Sequence, residues 1–235
     1  MVEKKPSNGA ECVTLKTNYE GFQTHASNPF VGVREHIVSP IECWYIITKS
    51  RKYMRPARVL LEEKTNGMGE GRTGDTCWLR YEDNATIAAI GQRIADTLGL
   101  PLATASAMQV VHYNVGQEYR HHFDAYSLNS KKGQRGARWG GQRLVTALVY
   151  LNDVPMGGGT DFSKLKIGIK AKAGRMVLFH NTSEDASQPH PQSLHAGLPV
   201  QEGEKWAFNM WFHHLPMIQR YQFDERCSPQ VLFTP

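Results

Sequence analysis

The 235-residue sequence has no apolar run of about 18 residues, so it offers no membrane-spanning helix. Its opening stretch, MVEKKPSNGAE, lacks the apolar core of a secretory leader. These two absences set the expectation of a soluble protein, cytoplasmic or of viral or bacterial origin, with no membrane partner. Cysteine is scarce. Cys12, Cys43, Cys77 and Cys227 are scattered, and no pair has the CxxC spacing of a zinc or redox motif. Free thiols in a reducing compartment are the simplest reading, although spacing alone leaves a disulfide open. Neither sign of charge dominates, with 27 Lys and Arg against 22 Asp and Glu. No long basic block exists, so a nucleic-acid partner is not expected. Internal repeats and low-complexity tracts are also missing.

What is present is ordinary for a folded domain: 40% hydrophobic and 21% charged residues. The length suits one domain, or one domain with an extension. Residues 1–30 are polar and aperiodic and read as a flexible arm. Residues 31–104 read as a helical support region. Ser39-Pro40-Ile41-Glu42 has the form of a capping box with proline in the first turn, and predicts a helix to about Tyr53. Arg58 to Glu62 reads as a strand. Asn84 to Leu98 predicts a second helix with Ile87, Ile90, Ile94 and Leu98 on one face, ended by Gly99 and Pro101. Between them, the glycine-rich NGMGEGRTG lacks the Gly-Lys-Ser/Thr ending of a phosphate-binding loop.

From Ala105 the period changes. MQVVHYN, EYRHHFD, RLVTALVYLND, KIGIKAKA, RMVLFHN and WAFNMWFHHL read as six strands separated by turns. The fold class is therefore mainly β with N-terminal helices (α+β). The architecture is a jelly roll over residues 105–216, with residues 217–235 as a tail. Lys131, Lys132, Arg135 and Arg138 gather between two of these strands, as a solvated loop or as a basic lid for an acidic or extended partner.

The chemistry centres on VVHYNVGQEYRHHFD, residues 110–124, which holds the only His-x-Asp, His122-Phe123-Asp124. On a strand, alternate side chains share a face, so His122 and Asp124 point the same way while His121 points away. An imidazole and a carboxylate on one face are two thirds of a 2-His-1-carboxylate site, which suits non-haem Fe(II) and leaves positions open for cosubstrate and O2. Among the other histidines, His195 in SLHAGLPV is preferred as the third ligand for its setting after a loop. His213 and His214 read as strand-end polar residues. Lys205 follows His195 by ten residues. A tight turn at Gly203 would put the two on adjacent antiparallel strands facing one cavity. A buried lysine is costly without an anion, and the far carboxylate of a dicarboxylate such as 2-oxoglutarate would supply it. Trp44, Trp78 and Trp139 read as core or loop aromatics.

The chain resembles the prolyl 4-hydroxylases through an ordered set of motifs over residues 40–214. Tyr113, Gly116, Gln117, Tyr119, His122 and Asp124 come first. Arg143, Thr146 and the Tyr150-Leu151-Asn152-Asp153-Val154 run follow. Gly157, Gly158, Thr160 and Phe162 precede Ser193-Leu194-His195-Ala196-Gly197, Pro199 and Val200, and Gly203, Lys205 and Trp206 close the set. The resemblance implies a double-stranded β-helix that binds Fe(II) and 2-oxoglutarate and hydroxylates peptidyl proline at C4. It also implies that ascorbate rescues iron oxidised in uncoupled turnover. By it, His122, Asp124 and His195 bind iron. Lys205 binds the far carboxylate of 2-oxoglutarate with Thr160, Tyr150 stands at a position that reaches the same carboxylate in the oxygen-sensing relatives, and Tyr113 lines that pocket. Tyr119, Arg143 and Trp211 stand on the substrate side, and residues 125–142 match a loop that closes over peptide.

Lysine at the anchor fits the collagen-type branch and its plant, algal, viral and bacterial relatives better than the oxygen-sensing branch, which uses arginine there. Two features depart from the family. Gly159 stands where a glutamate is usual, and no segment resembles the peptide-binding domain of the animal collagen enzymes. A proline-rich or collagen-like peptide is therefore the expected partner, and animal collagen itself is not. The rival readings are the same chemistry on another substrate (a folded protein such as a translation factor, a free amino acid or a small molecule) and a non-catalytic binding module. The second is disfavoured because all four ligand and anchor positions are filled.

Overall fold

Period-two alternation through the longest strands decides the architecture. In Lys205–His213, Trp206, Phe208, Met210 and Phe212 enter one core cluster, while Ala207 enters another and Lys205, Asn209 and Trp211 line a cavity. Arg143–Tyr150 behaves likewise: Val145, Ala147 and Val149 point one way, Leu148 and Tyr150 the other. A sheet with both faces covered reads as a near-continuous apolar run, which is why these segments stood out in the sequence.

The computed structural model describes residues 13–57, 59–60, 66–67, 71–220 and 230–234. An eight-stranded sheet runs in the order Gln23–Ser27, Phe30–Arg34, Met176–His180, Arg143–Tyr150, Lys205–His213, Met108–Tyr113, Asp75–Leu79, Arg55–Pro56. A four-stranded sheet runs Ile167–Ile169, Thr160–Phe162, His195–Gly197, Tyr119–His122. All pairings within both sheets are antiparallel. The smaller cluster, including Val111, Tyr150, Phe162, Phe179 and Ala207, lies between the sheets. Phe162 and Phe179 meet there edge-on at 5.0 Å.

The larger cluster fills the other face of the large sheet, where the helices pack. Helix Pro40–Arg51 has the predicted capping box at Ser39 and Glu42. Helix Ala85–Leu98 is capped by Asn84 and ends at Gly99, whose φ of 70° lets its N–H reach the carbonyls of Ala95 and Asp96. Ile87, Ile90 and Ile94 are fully buried, and truncating any of them to alanine would cost roughly 2–5 kcal/mol. Arg93 donates to both carboxylate oxygens of Glu42, at 2.9 and 2.8 Å, and ties the helices together.

Several expectations are corrected. Residues 13–30 are no arm: Gln23–Ser27 and Phe30–Arg34 extend the large sheet, and Leu15 and Tyr19 are buried. The 217–235 tail contributes Val231–Thr234, which pairs in parallel with Val13–Lys16. The partners lie at opposite ends of the chain, so neither segment carries a local signal for the pairing. The 31–104 region is not only helical, because Phe30–Arg34, Arg55–Pro56 and Asp75–Leu79 join the large sheet. Of the strand expected at 58–62, Val59–Leu60 forms a strand paired with Asn66–Gly67, and the rest lies outside the described residues. Part of the glycine-rich loop, 68–70, also lies outside them. Within 125–142 a six-residue helix, Lys131–Gly136, is capped by Ser130.

Candidate active site

His122 ends the strand Tyr119–His122, and Asp124 follows just beyond it. His195 opens the neighbouring strand of the same sheet and is the direct cross-strand partner of His122. Sheet pairing thus brings together residues 73 positions apart. Nε2 of His122 lies 3.6 Å from Oδ1 of Asp124, and Nε2 of His195 lies 3.7 Å from Oδ2. One donor atom from each residue falls within 4.8 Å of the others. His195 and Asp124 are buried, and His122 is half-buried.

Both imidazoles are oriented in the same way. Nδ1 of His122 is 2.8 Å from the carbonyl of Arg120, and Nδ1 of His195 is 2.9 Å from that of Ser193. A carbonyl can only accept, so each Nδ1 carries a proton and each Nε2 faces the carboxylate. Burial pushes His195 down to about 4, so its ring is neutral near pH 7. Burial pushes the Asp124 carboxyl up, but at the acid pH where it would titrate the charge of His195, the neighbouring His122 and the Arg143 guanidinium outweigh burial and hold it well below the usual carboxylate range. Two imidazole nitrogens and a carboxylate are the donor set of a divalent first-row metal. The Thr146 hydroxyl donates to Asp124 at 2.8 Å, and the Asn181 amide donates to Thr146 at 2.9 Å.

Lys205 stands across the cavity. It is not on a strand adjacent to that of His195, as the ten-residue spacing had suggested. Gly203 does make a turn, with φ of 80°. The strand before that turn, Val200–Glu202, pairs with Met156–Gly157, and the strand after it enters the large sheet between Met108–Tyr113 and Arg143–Tyr150. His195 and Lys205 therefore face one cavity from opposite sheets. Lys205 is 3% exposed and makes no ion pair among the described residues. Its Nζ lies over the rings of Tyr150 and Tyr113, at 5.3 and 5.6 Å. Burial, then the charge of Arg72, pushes it down to about 7. The Asn152 side chain accepts from the N–H of Trp206 at 2.6 Å and donates to the carbonyl of Glu204 at 2.7 Å, pinning the backbone on both sides of Lys205. Tyr150 and Thr160 share a 2.5 Å hydroxyl contact that bridges the two sheets beside it.

The remaining expected residues line the same cavity. Tyr119 stacks on His122, with centroids 3.6 Å apart and planes at 21°. The Arg143 guanidinium lies 3.9 Å over the Trp211 ring and 4.9 Å from that of Tyr126. His121 turns outward, 3.4 Å from Asp161. His213 ends the strand Lys205–His213 and His214 follows it, as expected, and both are buried. His213 contacts the carbonyl of Gly141 at 3.2 Å. Cys43 and Cys77 are free thiols, and Cys12 and Cys227 lie outside the described residues. Sequence reasoning missed Arg72, which donates to the Tyr113 hydroxyl at 3.1 Å and to Gln109 at 3.2 Å and sits over Tyr119. It lies in an aperiodic glycine-rich loop, so no pattern marked it. Trp78 was also missed as a cavity residue, although its strand alternates cleanly.

Residues 108–213 match the family model of the 2OG-Fe(II) oxygenase superfamily, which is the class this fold and site define. Prolyl 4-hydroxylase 5 of Arabidopsis thaliana is 33% identical over 208 residues, covering 79% of this chain and 68% of that protein. The viral collagen prolyl hydroxylase of Paramecium Bursaria Chlorella virus-1, solved as its 2OG complex, superposes with a TM-score of 0.61. It is 27% identical, covering 77% of this chain and 94% of that one. The chain belongs to the prolyl 4-hydroxylase family of 2OG-Fe(II) oxygenases. It is an enzyme that depends on iron and 2-oxoglutarate and consumes O2. Among the described residues, no helix is long and apolar enough to cross a membrane.

Proposed function

We propose that the protein hydroxylates peptidyl proline at C4, forming 4-hydroxyproline, succinate and CO2. One observation carries the reading: a buried lysine with no counter-ion among the described residues faces a His-Asp-His donor cluster across a single cavity. That pairing suits a dicarboxylate bound to a metal at one end and to a cation at the other. His122, Asp124 and His195 are the proposed metal ligands. Lys205 is the proposed anchor of the far carboxylate, with Thr160 and Tyr150 as hydroxyl partners and Tyr113 as a wall. When bound, Fe(II) and 2-oxoglutarate supply the oxidative decarboxylation of the cosubstrate that puts one oxygen atom of O2 into succinate and the other into the product hydroxyl.

The protein's part is orientation and exclusion of water. The Nδ1–H bonds of both histidines hold the ligand rings in one tautomer. Thr146 and Asn181 hold the carboxylate. Tyr119, Arg143 and Trp211 are the proposed contacts for the peptide around the reacting proline. Residues 125–142 are the proposed cover over it. Ascorbate is the proposed reductant for iron oxidised in turnovers uncoupled from peptide. The proposed partner is a proline-rich or collagen-like peptide, because polyproline II segments suit aromatic-lined grooves.

The test is incubation of the protein with Fe(II), 2-oxoglutarate, ascorbate and a panel of proline-rich peptides, with mass spectrometry on each. The expected product gains one oxygen atom on proline. Succinate without any modified peptide, but with a modified small molecule or folded protein, would move the chemistry to another substrate.

A further inference from the structure

The mechanism leaves Trp78 without a role. It lies on the strand Asp75–Leu79, where Cys77 and Leu79 enter the core and Trp78 faces the other way. Its cross-strand partner is Gln109 on Met108–Tyr113. Gln109, Val111 and Tyr113 line the cavity on that face. Trp78 is 49% exposed, whereas Trp211 beside it is 5% exposed. The two rings lie 6.1 Å apart at 44°, and the Arg143 guanidinium covers Trp211. A short ladder of flat groups thus leads from the neighbourhood of Asp124 outward to an open indole face. The cavity that holds this ladder measures about 1830 Å³ and extends beyond Trp78 to Tyr53, itself half exposed. Sites for small ligands span about 300–1,000 Å³, so this one has room for an extended chain as well as the cosubstrate.

We propose that Trp78 is a second proline subsite, whose open face receives a proline ring of the substrate at a residue removed from the one being hydroxylated. The inference rests on the prolyl reading above. A polyproline II chain repeats its face every three residues and keeps its shape without internal hydrogen bonds, so it presents a second ring at low entropic cost. A rigid indole with apolar area exposed inside a polar-rimmed cavity is the matching surface. Trp78 acts on substrate choice alone, since the reacting groups lie elsewhere.

The Fe(II)-loaded protein and its Trp78→Ala and Trp78→Phe variants are assayed on two nested peptide series. Each series is built on one reactive proline and is lengthened toward one terminus with further prolines. In one series, the wild-type KM is expected to fall by about fivefold once the chain reaches Trp78. Trp78→Ala erases that fall while keeping the short-peptide KM, kcat and the KM for 2-oxoglutarate. Trp78→Phe restores most of it. If the wild type shows no length-dependent fall, if Trp78→Ala shows the same fall, or if Trp78→Phe behaves like Trp78→Ala on short peptides as well as long, the subsite is wrong. Should Trp78→Ala lose 2-oxoglutarate binding, Trp78→Phe decides by the same criteria. No hydroxylated peptide of any length from wild type overturns the prolyl reading, whereas hydroxylation without a Trp78-dependent step overturns the subsite alone.

Discussion

The Thr146 hydroxyl donates a 2.8 Å hydrogen bond to Oδ2 of Asp124, while the Asn181 amide donates to Thr146 from behind. The three groups are buried. A carboxylate held in this way has one free direction, toward the two Nε2 atoms. Thr146→Val keeps the shape and removes the donor. Metal affinity is expected to fall by about ten- to a hundredfold. Unfolding free energy should drop by roughly 1–3 kcal/mol, because the Asn181 amide loses its acceptor. Titration with Fe(II) under anaerobic conditions reads the first, and denaturant unfolding the second. Unchanged metal affinity would show that the support from Thr146 is not needed.

Lys205 carries a conflict between stability and function. Its ammonium is buried without an ion pair among the described residues, which costs the apoprotein free energy. Lys205→Met keeps the stem and removes the charge. The apoprotein should gain roughly 1–3 kcal/mol of stability, while the Kd for 2-oxoglutarate rises by about a hundredfold. Calorimetric unfolding and ligand titration measure the two effects on one sample. A variant that is less stable and binds 2-oxoglutarate normally would contradict the anchor assignment.

The same lysine sets a pH dependence. Burial first, and the Arg72 charge second, push it from 10.5 down to about 7. The phenols of Tyr113 and Tyr150 also face it, the latter pushed up by burial and so neutral here. The unfolded chain therefore keeps a proton that the folded apoprotein releases between pH 7 and 10.5. The burial penalty is present in full below pH 7 and is relieved as pH rises through this window, so this group makes stability increase with pH there. The proposed anchor requires the ammonium, so binding of 2-oxoglutarate is expected to take up a proton above pH 7. Its Kd should rise by up to about tenfold per pH unit from there. Calorimetry in two buffers of different ionisation enthalpy measures the proton uptake. A flat Kd and no uptake on the alkaline side would contradict it.

Gln142 holds both ends of the 125–142 segment. Its Oε1 accepts from the N–H of Tyr126 at 2.7 Å and of Arg143 at 3.0 Å. Its Nε2 donates to the carbonyls of Tyr126 and Ala186 at 2.7 and 2.8 Å. Gln142→Ala leaves four backbone groups, of Tyr126, Arg143 and Ala186, without this partner. Amide exchange across 125–137 should accelerate, and the KM for peptide should rise by about tenfold with 2-oxoglutarate binding intact. Hydrogen-exchange mass spectrometry checks the first directly. Unaltered exchange would mean that other contacts hold the segment.

How much of this was legible in the sequence follows from how local each signal is. The helices announced themselves because Ser39, Glu42, Asn84 and Gly99 act within a few residues of their own chain. The large-sheet strands were legible because both faces are buried, which leaves long runs such as WAFNMWF. His122 and Asp124 were legible as a pair because a single residue, Phe123, separates them. The relation of His195 to Lys205 was misjudged, because a ten-residue spacing around a glycine looks like a hairpin, and only the pairing of Val200–Glu202 with Met156–Gly157 sends the two apart. Residues 13–30 were misjudged for a related reason: Val13–Lys16 and Phe30–Arg34 are received by partners far along the chain, and Gln23–Ser27 only extends the sheet from Phe30–Arg34. Buried supports such as Asn181 and Gln142 carry no mark in a single sequence, since an amide reads alike on a surface and in a core.

The proposed reaction needs one metal, one cosubstrate and one peptide to meet in a single cavity. The most direct test is the ratio of succinate released to 4-hydroxyproline formed, measured on the same reaction for wild type and for Asp124→Ala. A ratio near one in wild type, with both products lost in Asp124→Ala, is the predicted result. Succinate without hydroxyproline on any peptide, or hydroxyproline still formed by Asp124→Ala, would contradict it.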